Sequence, residues 1–148
     1  MTAKEYLGQL KSLERKIHHK KMELKEAESS VGISFRHNGE HVQTSFSGAM
    51  GDYTGRQAVR ILSLKETIDQ KIIEYLELKN QIVDQIHDLR EGIYIDILYR
   101  HYVREDGDFA QIADDMGYSY KYIINKHGEA LSAFERIHPE LFLTNECK

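Results

Sequence analysis

Apolar residues recur every seven positions from Leu10 to Val31, and charged residues occupy many of the positions between them. This is the period of a coiled-coil seam, in which helices pack along one narrow stripe. Thr2 and Glu5 have the spacing of a capping box, in which each side chain hydrogen-bonds the backbone N–H of the other residue. The pattern therefore predicts a helix that begins just after Thr2.

The hydrophobic period changes to two over residues 31–46. Asn38-Gly39 lies in the middle of this stretch, and this dipeptide is preferred at the centre of a type I′ hairpin turn. That register pairs Phe35 with Val42 and puts the apolar residues on one face. The pattern predicts a β-hairpin over 31–46, with a flexible loop as the alternative, and the glycine-rich residues 47–55 are predicted to be a connector.

A second, longer helix is predicted from about residue 56 to residue 90, because apolar residues there follow a spacing of three and four. Its apolar face consists of two adjacent stripes and is too wide for a two-stranded seam. We expect the first helix to fold back antiparallel and cover one stripe, and a second copy of the protein to cover the other. The predicted homodimer interface contains Ile68, Ile72, Tyr75 and Ile82.

Gly92 is predicted to mark a hinge, and three shorter helical segments follow it, at about 93–103, 109–116 and 119–136. The predicted fold is therefore mainly α. A long antiparallel helical or coiled-coil segment, 1–91, carries the β-hairpin at its tip. A C-terminal three-helix helix-turn-helix domain, 92–138, follows, and residues 139–148 form a tail.

The residues from Asp108 to Ile123 have the pattern of two helices joined by a tight turn. Asp108 is placed to cap the first of them, Gly117 supplies the positive φ that such a turn needs, and Ser119 is placed to cap the second. A plain three-helix bundle with the same turn is the alternative. If the second helix enters the major groove of DNA, the residues outside its core contact bases and phosphates. These are Ser119, Tyr120, Lys121, Tyr122, Asn125 and Lys126.

Composition agrees with a folded protein, since 41% of the 148 residues are hydrophobic and 30% are charged. No apolar run approaches the roughly 20 residues that a membrane span needs, and no signal peptide is evident. We therefore expect a cytoplasmic protein with no membrane partner. The net charge is −4, and residues 91–148 carry six Lys or Arg against eleven Asp or Glu. This acidic balance opposes non-specific binding to nucleic acid.

Catalytic and metal-binding patterns have little support in the sequence. Of the eight histidines, His18 and His19 are adjacent rather than four positions apart, and His37 and His41 flank the predicted hairpin turn with no carboxylate or cysteine set beside them. The single cysteine, Cys147, supplies neither a disulfide nor a cysteine zinc site. The glycines of residues 48–55 lack the lysine of a phosphate-binding loop. We expect no enzyme activity, no metal and no cofactor, and we expect His127 to be half-buried in a structural role.

The helix-turn-helix stretch resembles region 4 of sigma-70-type factors, the module that reads an upstream promoter element and contacts RNA polymerase. The matching residues are Ile112-Ala113, Gly117-Tyr118-Ser119, Ile123 and Ala130-Leu131. Two further motifs precede the helix-turn-helix, one before the long helix and one after it. In this order of motifs the chain is similar to the ArpU- and RinA-type late transcription activators of phages and prophages of Gram-positive bacteria. Those motifs are Val42-Gln43-Thr44-Ser45 and Leu98-Tyr99-Arg100-His101-Tyr102.

The resemblance implies a DNA-binding phage transcription regulator that binds promoters through the second helix and activates late genes with host RNA polymerase. Its partners would be double-stranded DNA and the polymerase. Two other functions remain open. One is a small terminase-like subunit that feeds DNA to a packaging motor, although such subunits usually carry their DNA-binding part first. The other is a protein-interaction module without DNA binding.

Overall fold

The computed structural model describes residues 1–38 and 48–143, and the regular structure in these ranges is helical, with no strand. A π-helix, Tyr99–Arg104, directly follows α4, and a 3₁₀ turn, Pro139–Leu141, follows the last α-helix. The α-helices are α1 (Ala3–Leu7), α2 (Gln9–Asn38), α3 (Gly48–His87), α4 (Gly92–Leu98), α5 (Phe109–Met116) and α6 (Tyr120–Ile137).

The capping box at the start of α1 is confirmed. The Thr2 backbone N–H donates to Glu5 Oε2 at 2.8 Å, and the Glu5 backbone N–H donates to Thr2 Oγ1 at 3.3 Å. The Thr2 backbone N–H and the Thr2 hydroxyl both donate to the Glu5 carboxylate, and these two hydrogen bonds lower the pKa of Glu5. Gly8 separates α1 from α2, but its backbone stays in the right-handed helical region, so the chain continues into α2 with little interruption.

The predicted β-hairpin over 31–46 is wrong. Residues 31–38 belong to α2, and the other half of the predicted hairpin lies outside the described residues. A lone two-stranded hairpin is marginally stable in water, whereas an existing helix grows by fixing one residue for each hydrogen bond added. Extension of α2 therefore wins over the β preference of Val31, Ile33 and Phe35.

The long second helix begins earlier than its apolar spacing indicates. Residues 48–55 were predicted to be a connector, but α3 already includes them. The helix ends at His87, close to the predicted end, and α4 begins at Gly92, the position predicted as a hinge. Three glycines in the first turns reduce helix propensity, but propensity is a weak guide where a long helix continues beyond them.

The described residues form two compact units, which divide α2 and α3 between them. The first unit contains residues 1–12 and 75–143, and the second contains the described residues from 13 to 74. In the second unit, apolar residues of both helices are buried, and Lys65 Nζ lies 3.6 Å from Glu28 Oε1. The buried residues of this unit are Ile17, Ala27, Leu64 and Ile68.

The core of the first unit shows that the predicted three-helix domain at 92–138 is also wrong. Helices α4 and α6 do not enclose a core by themselves, because Leu7 of α1 and Ile82 and Ile86 of α3 are fully buried in the same cluster as Phe134. Hydrogen bonds reinforce this packing: the Ala3 N–H donates to Glu135 Oε1, and the Tyr6 hydroxyl donates to Gln85 Oε1, each at 2.8 Å. The predicted domain therefore lacks the segments of α1 and α3 that complete its core.

A smaller core lies beneath the turn between α5 and α6. Ile97, Ile112, Ala113 and Ile123 are buried together, with Met116 at the margin. Phe134 belongs to the other cluster, so the C-terminal helices contribute to two separate cores. This smaller cluster fixes the N-terminal end of α6.

Candidate nucleic-acid interface

The turn before α6 has the local structure that its sequence predicts. Asp108 Oδ1 accepts the Gln111 backbone N–H at 2.9 Å, and Ser119 Oγ accepts the Tyr122 backbone N–H at 3.2 Å. Gly117 ends α5 with a φ of 74°, which is in the left-handed region. The three positions together hold α5 and α6 at a tight corner.

In the segment before this corner, two arginines pair with the same carboxylate, that of Asp106. Arg100 Nη1 and Arg104 Nε lie 3.5 and 3.2 Å from the two oxygens of Asp106. Glu105, between them and the turn, has a φ of 53°, which is unusual for a residue with a side chain. Both arginines therefore brace the end of the π-helix and contribute little free positive charge to a DNA surface.

Three of the six predicted contact residues are exposed near the N-terminus of α6 and have side chains suited to a ligand. Tyr120 is 57% exposed. Lys121 and Asn125 are also exposed, and within the described residues neither side chain has a hydrogen bond or an ion pair. They lie one turn apart on the same side of the helix. This pair is the part of the predicted site that is available to a ligand.

The other three predicted residues are already engaged within the protein. Ser119 caps α6. The ring of Tyr122 stacks on Tyr118 at 4.7 Å. Lys126 Nζ lies 2.7 Å from Glu129 Oε2, and this pairing lowers the pKa of Glu129 and raises that of Lys126. Glu129 also accepts the Tyr94 hydroxyl at 2.9 Å, so Lys126 is held on the side of α6 that faces α4.

Sequence reasoning missed a groove that runs along α6 beside residues 89–94. Its volume is about 870 Å³, and Asn125 lines it together with residues from the second half of α6. Arg136 could have been found from the sequence, since it lies eleven residues after Asn125 and so faces the same way on a helix. Arg90 could not, because only the fold brings it there. The lining also includes the acidic residues Glu91 and Glu129, and the other residues missed that matter here are Arg90, Gly128, Ser132 and Arg136.

His127 lies on the other side of α6, inside an aromatic cluster, as predicted for a half-buried structural residue. Its Nε2 lies 3.0 Å from the Tyr102 hydroxyl, and its ring contacts Phe109 and His101. Burial, with the nearby His101 as a smaller cause, lowers the pKa of His127 to about 4. Burial also lowers the pKa of His101. Both rings are therefore neutral at pH 7.

This cluster makes stability depend on pH. In the unfolded chain His127 gains a proton near its ordinary pKa of about 6.5, whereas the folded protein resists protonation until about pH 4. We expect the free energy of unfolding to be highest above pH 6.5 and to fall as the pH drops from 6.5 towards 4. Between pH 7 and pH 5, the free energy of unfolding measured with urea should fall less in His127→Gln than in wild type. His19→Gln, at an exposed helix position, is the control, and an equal loss in all three proteins would contradict the assignment.

No group of three or more His, Cys, Asp or Glu side chains within residues 1–38 and 48–143 is arranged to hold a metal ion. No helix in the same ranges is both long and apolar enough to cross a lipid bilayer. Comparison of the chain with protein families, with curated proteins and with solved structures gives no match.

Proposed function

We propose that the protein is a DNA-binding transcription regulator of the phage type, with α6 as the helix that reads the major groove. One observation carries the proposal: four polar side chains lie within about 60° of one another on the outward side of α6, at about 100° of rotation per residue. They are Lys121, Asn125, Ser132 and Arg136. Within the described structure, none of them forms a salt bridge.

The chemistry of these residues suits base recognition. An asparagine amide can both donate to and accept from adenine in the major groove, and a lysine can donate to guanine or to a phosphate. A helix of the width of α6 fits that groove, with the residues near its N-terminus closest to the bases. Asn125 and Lys121 occupy that part of α6, and Tyr120 extends the surface towards the DNA backbone.

A homodimer would compensate for the small number of positive charges on this surface. Few phosphate contacts give modest affinity for one copy, and two linked copies bind far more tightly than one. The predicted interface needs revision, because Ile68 and Ile82 are 5% and 0% exposed in a single chain. The proposed dimer instead uses the other, adjacent stripe of α3, where Leu62 and Ile73 are 59% and 48% exposed.

The resemblance to ArpU- and RinA-type activators supports the remainder of the proposal. In that role the protein acts in the cytoplasm of the bacterial host and recruits host RNA polymerase to late promoters. A terminase-like packaging subunit and a protein-interaction module are the competing functions. A ring of eight or more copies in solution would favour the terminase, and binding to polymerase without binding to DNA would favour the interaction module.

The test is a comparison of α6 variants on duplexes selected from a random DNA library. Asn125→Ala is expected to cost about 1–3 kcal/mol of binding free energy and to relax preference at one base pair. Lys121→Ala should also weaken binding. Lys126→Ala should have a smaller effect, since Glu129 already neutralises that lysine. Fluorescence anisotropy measures each affinity, and circular dichroism checks that each variant remains folded.

Asn80→Ala is the matched control, because Asn80 is exposed on α3, outside the proposed surface. Footprinting with and without RNA polymerase on DNA surrounding the protein's own gene tests the regulatory part. Unchanged selection and affinity in a folded Lys121→Ala/Asn125→Ala variant would exclude α6 as the reading helix. Binding to polymerase but to no duplex would transfer the assignment to the interaction module.

A further inference from the structure

The groove along α6 carries two arginines that have no acidic partner. Arg90, just beyond the end of α3, and Arg136, near the end of α6, both line it, and neither forms a salt bridge within the described residues. Glu129 also lines the groove, but its Oε2 already accepts hydrogen bonds from Lys126 and Tyr94. Glu91 is the remaining acidic residue in the lining. The groove thus offers two free guanidinium groups to an anionic ligand.

Gly128 is the second observation that points to a ligand. It lies in the middle of α6, where glycine costs about 1 kcal/mol relative to alanine. A Cβ atom placed on it would meet nothing within 4 Å, and its backbone is not in a left-handed conformation. The fold therefore gives no reason for a glycine here. Its effect is to keep the groove open in the middle.

The groove is also continuous with the proposed reading surface, because Asn125 forms part of its lining. A ligand that contacts the Asn125 amide therefore passes directly beside Gly128 towards Arg136. Lys121 and Arg136 are about 22 Å apart along the helix at 1.5 Å per residue. This distance exceeds the width of about 12 Å of the major groove, so a helix whose Lys121 is among the bases places Arg136 over the backbone.

We propose that this groove holds the sugar-phosphate backbone of one strand of duplex DNA, with Arg90 and Arg136 contacting its phosphates. The inference rests on the proposed DNA-binding function and adds the second contact that fixes α6 in the major groove. Guanidinium groups donate two parallel hydrogen bonds to phosphate oxygens. Such contacts set the position of a reading helix without depending on base sequence.

The first test is the salt dependence of binding to a duplex of random sequence. Arg90→Gln and Arg136→Gln are each expected to weaken binding to all duplexes alike and to reduce the slope of log K against log [salt] by about 0.9. Arg60→Gln removes the same charge from an exposed position on α3, outside the groove, and should leave the slope nearly unchanged. Anisotropy titrations between 50 and 200 mM salt, about the range in which such slopes are measured, give these values.

The second test fills the groove without removing charge. Gly128→Ala and Gly128→Leu should both raise the urea midpoint, since both residues are better helix formers than glycine. Gly128→Leu should nonetheless weaken DNA binding by about tenfold, the loss expected for one good contact, and Gly128→Ala should weaken it less. Reduced binding by a more stable protein is a result that misfolding does not produce.

The outcomes separate this inference from the proposed function. If wild type binds DNA and the Arg90, Arg136 and Gly128 variants behave like Arg60→Gln, the groove does not hold DNA and only this inference fails. If wild type binds no duplex at 50 mM salt, both fail. A polyglutamate peptide serves as a probe for acidic protein segments. Binding to that peptide through Arg90 and Arg136, with no duplex bound, would overturn the inference in favour of a protein partner.

Discussion

Deletion of residues 1–12 is expected to abolish the cooperative folding of α4, α5 and α6. Ala3 and Leu7 are fully buried, and Tyr6 and Leu10 are nearly so, in the cluster that surrounds Phe134. Without them the core of the first unit opens to water on one side. The graded form of the experiment is Leu7→Ala, which should lower the free energy of unfolding by about 2–5 kcal/mol, as for other buried leucines.

Urea unfolding followed by circular dichroism measures both effects. Met22→Ala removes a similar amount of apolar surface from a residue of α2 that is half exposed, and should cost far less. A fragment containing residues 92–138 alone should lack a cooperative transition. If that fragment folds with a sharp transition, the C-terminal helices are autonomous, and our description of the core is incorrect.

Leu62→Glu combined with Ile73→Glu is expected to convert the proposed dimer into monomers. The two residues are eleven positions apart, so they share one side of α3 and are about 16 Å apart along it. A dimer that buried them would have to bury two unpaired carboxylates in each copy, a penalty of several kcal/mol. Glutamate is a good helix former, so the fold of one chain should be preserved.

Sedimentation or light scattering reports the mass, and Gln70→Glu introduces one of the two added charges at an exposed position outside the stripe. Wild type and Gln70→Glu should both have the mass of two chains. A wild-type monomer at high micromolar concentration would disprove the dimer. A double variant that keeps the wild-type mass would show that copies associate through another surface.

Features that depend on neighbouring residues could be predicted from the sequence, because their physics is local. The caps at Thr2, Asp108 and Ser119 and the left-handed turn at Gly117 each involve partners three or four positions away, and all are present in the structure. The pairing of Lys126 with Glu129 was equally readable, since residues three apart on a helix are neighbours.

Features that depend on distant partners could not be read in the same way. The alternating residues after Val31 carry a β preference, but nothing local shows that α2 continues through them. Likewise, no spacing indicates that Leu7 packs near Phe134, or which stripe of α3 its own chain buries. The groove combines both cases, since Arg136 follows from the periodicity of α6 and Arg90 follows only from the fold.

The contact between the start of the chain and α6 also bears on how the protein is made. The Ala3 N–H and the Glu135 carboxylate that accepts it are separated by 132 positions. A ribosome releases α1 well before the part of α6 that covers it. The core of the first unit therefore cannot close until α6 has left the exit tunnel, and Leu7 must remain uncovered until then. Nascent chains consequently carry exposed apolar surface for the time between the release of α1 and the release of α6.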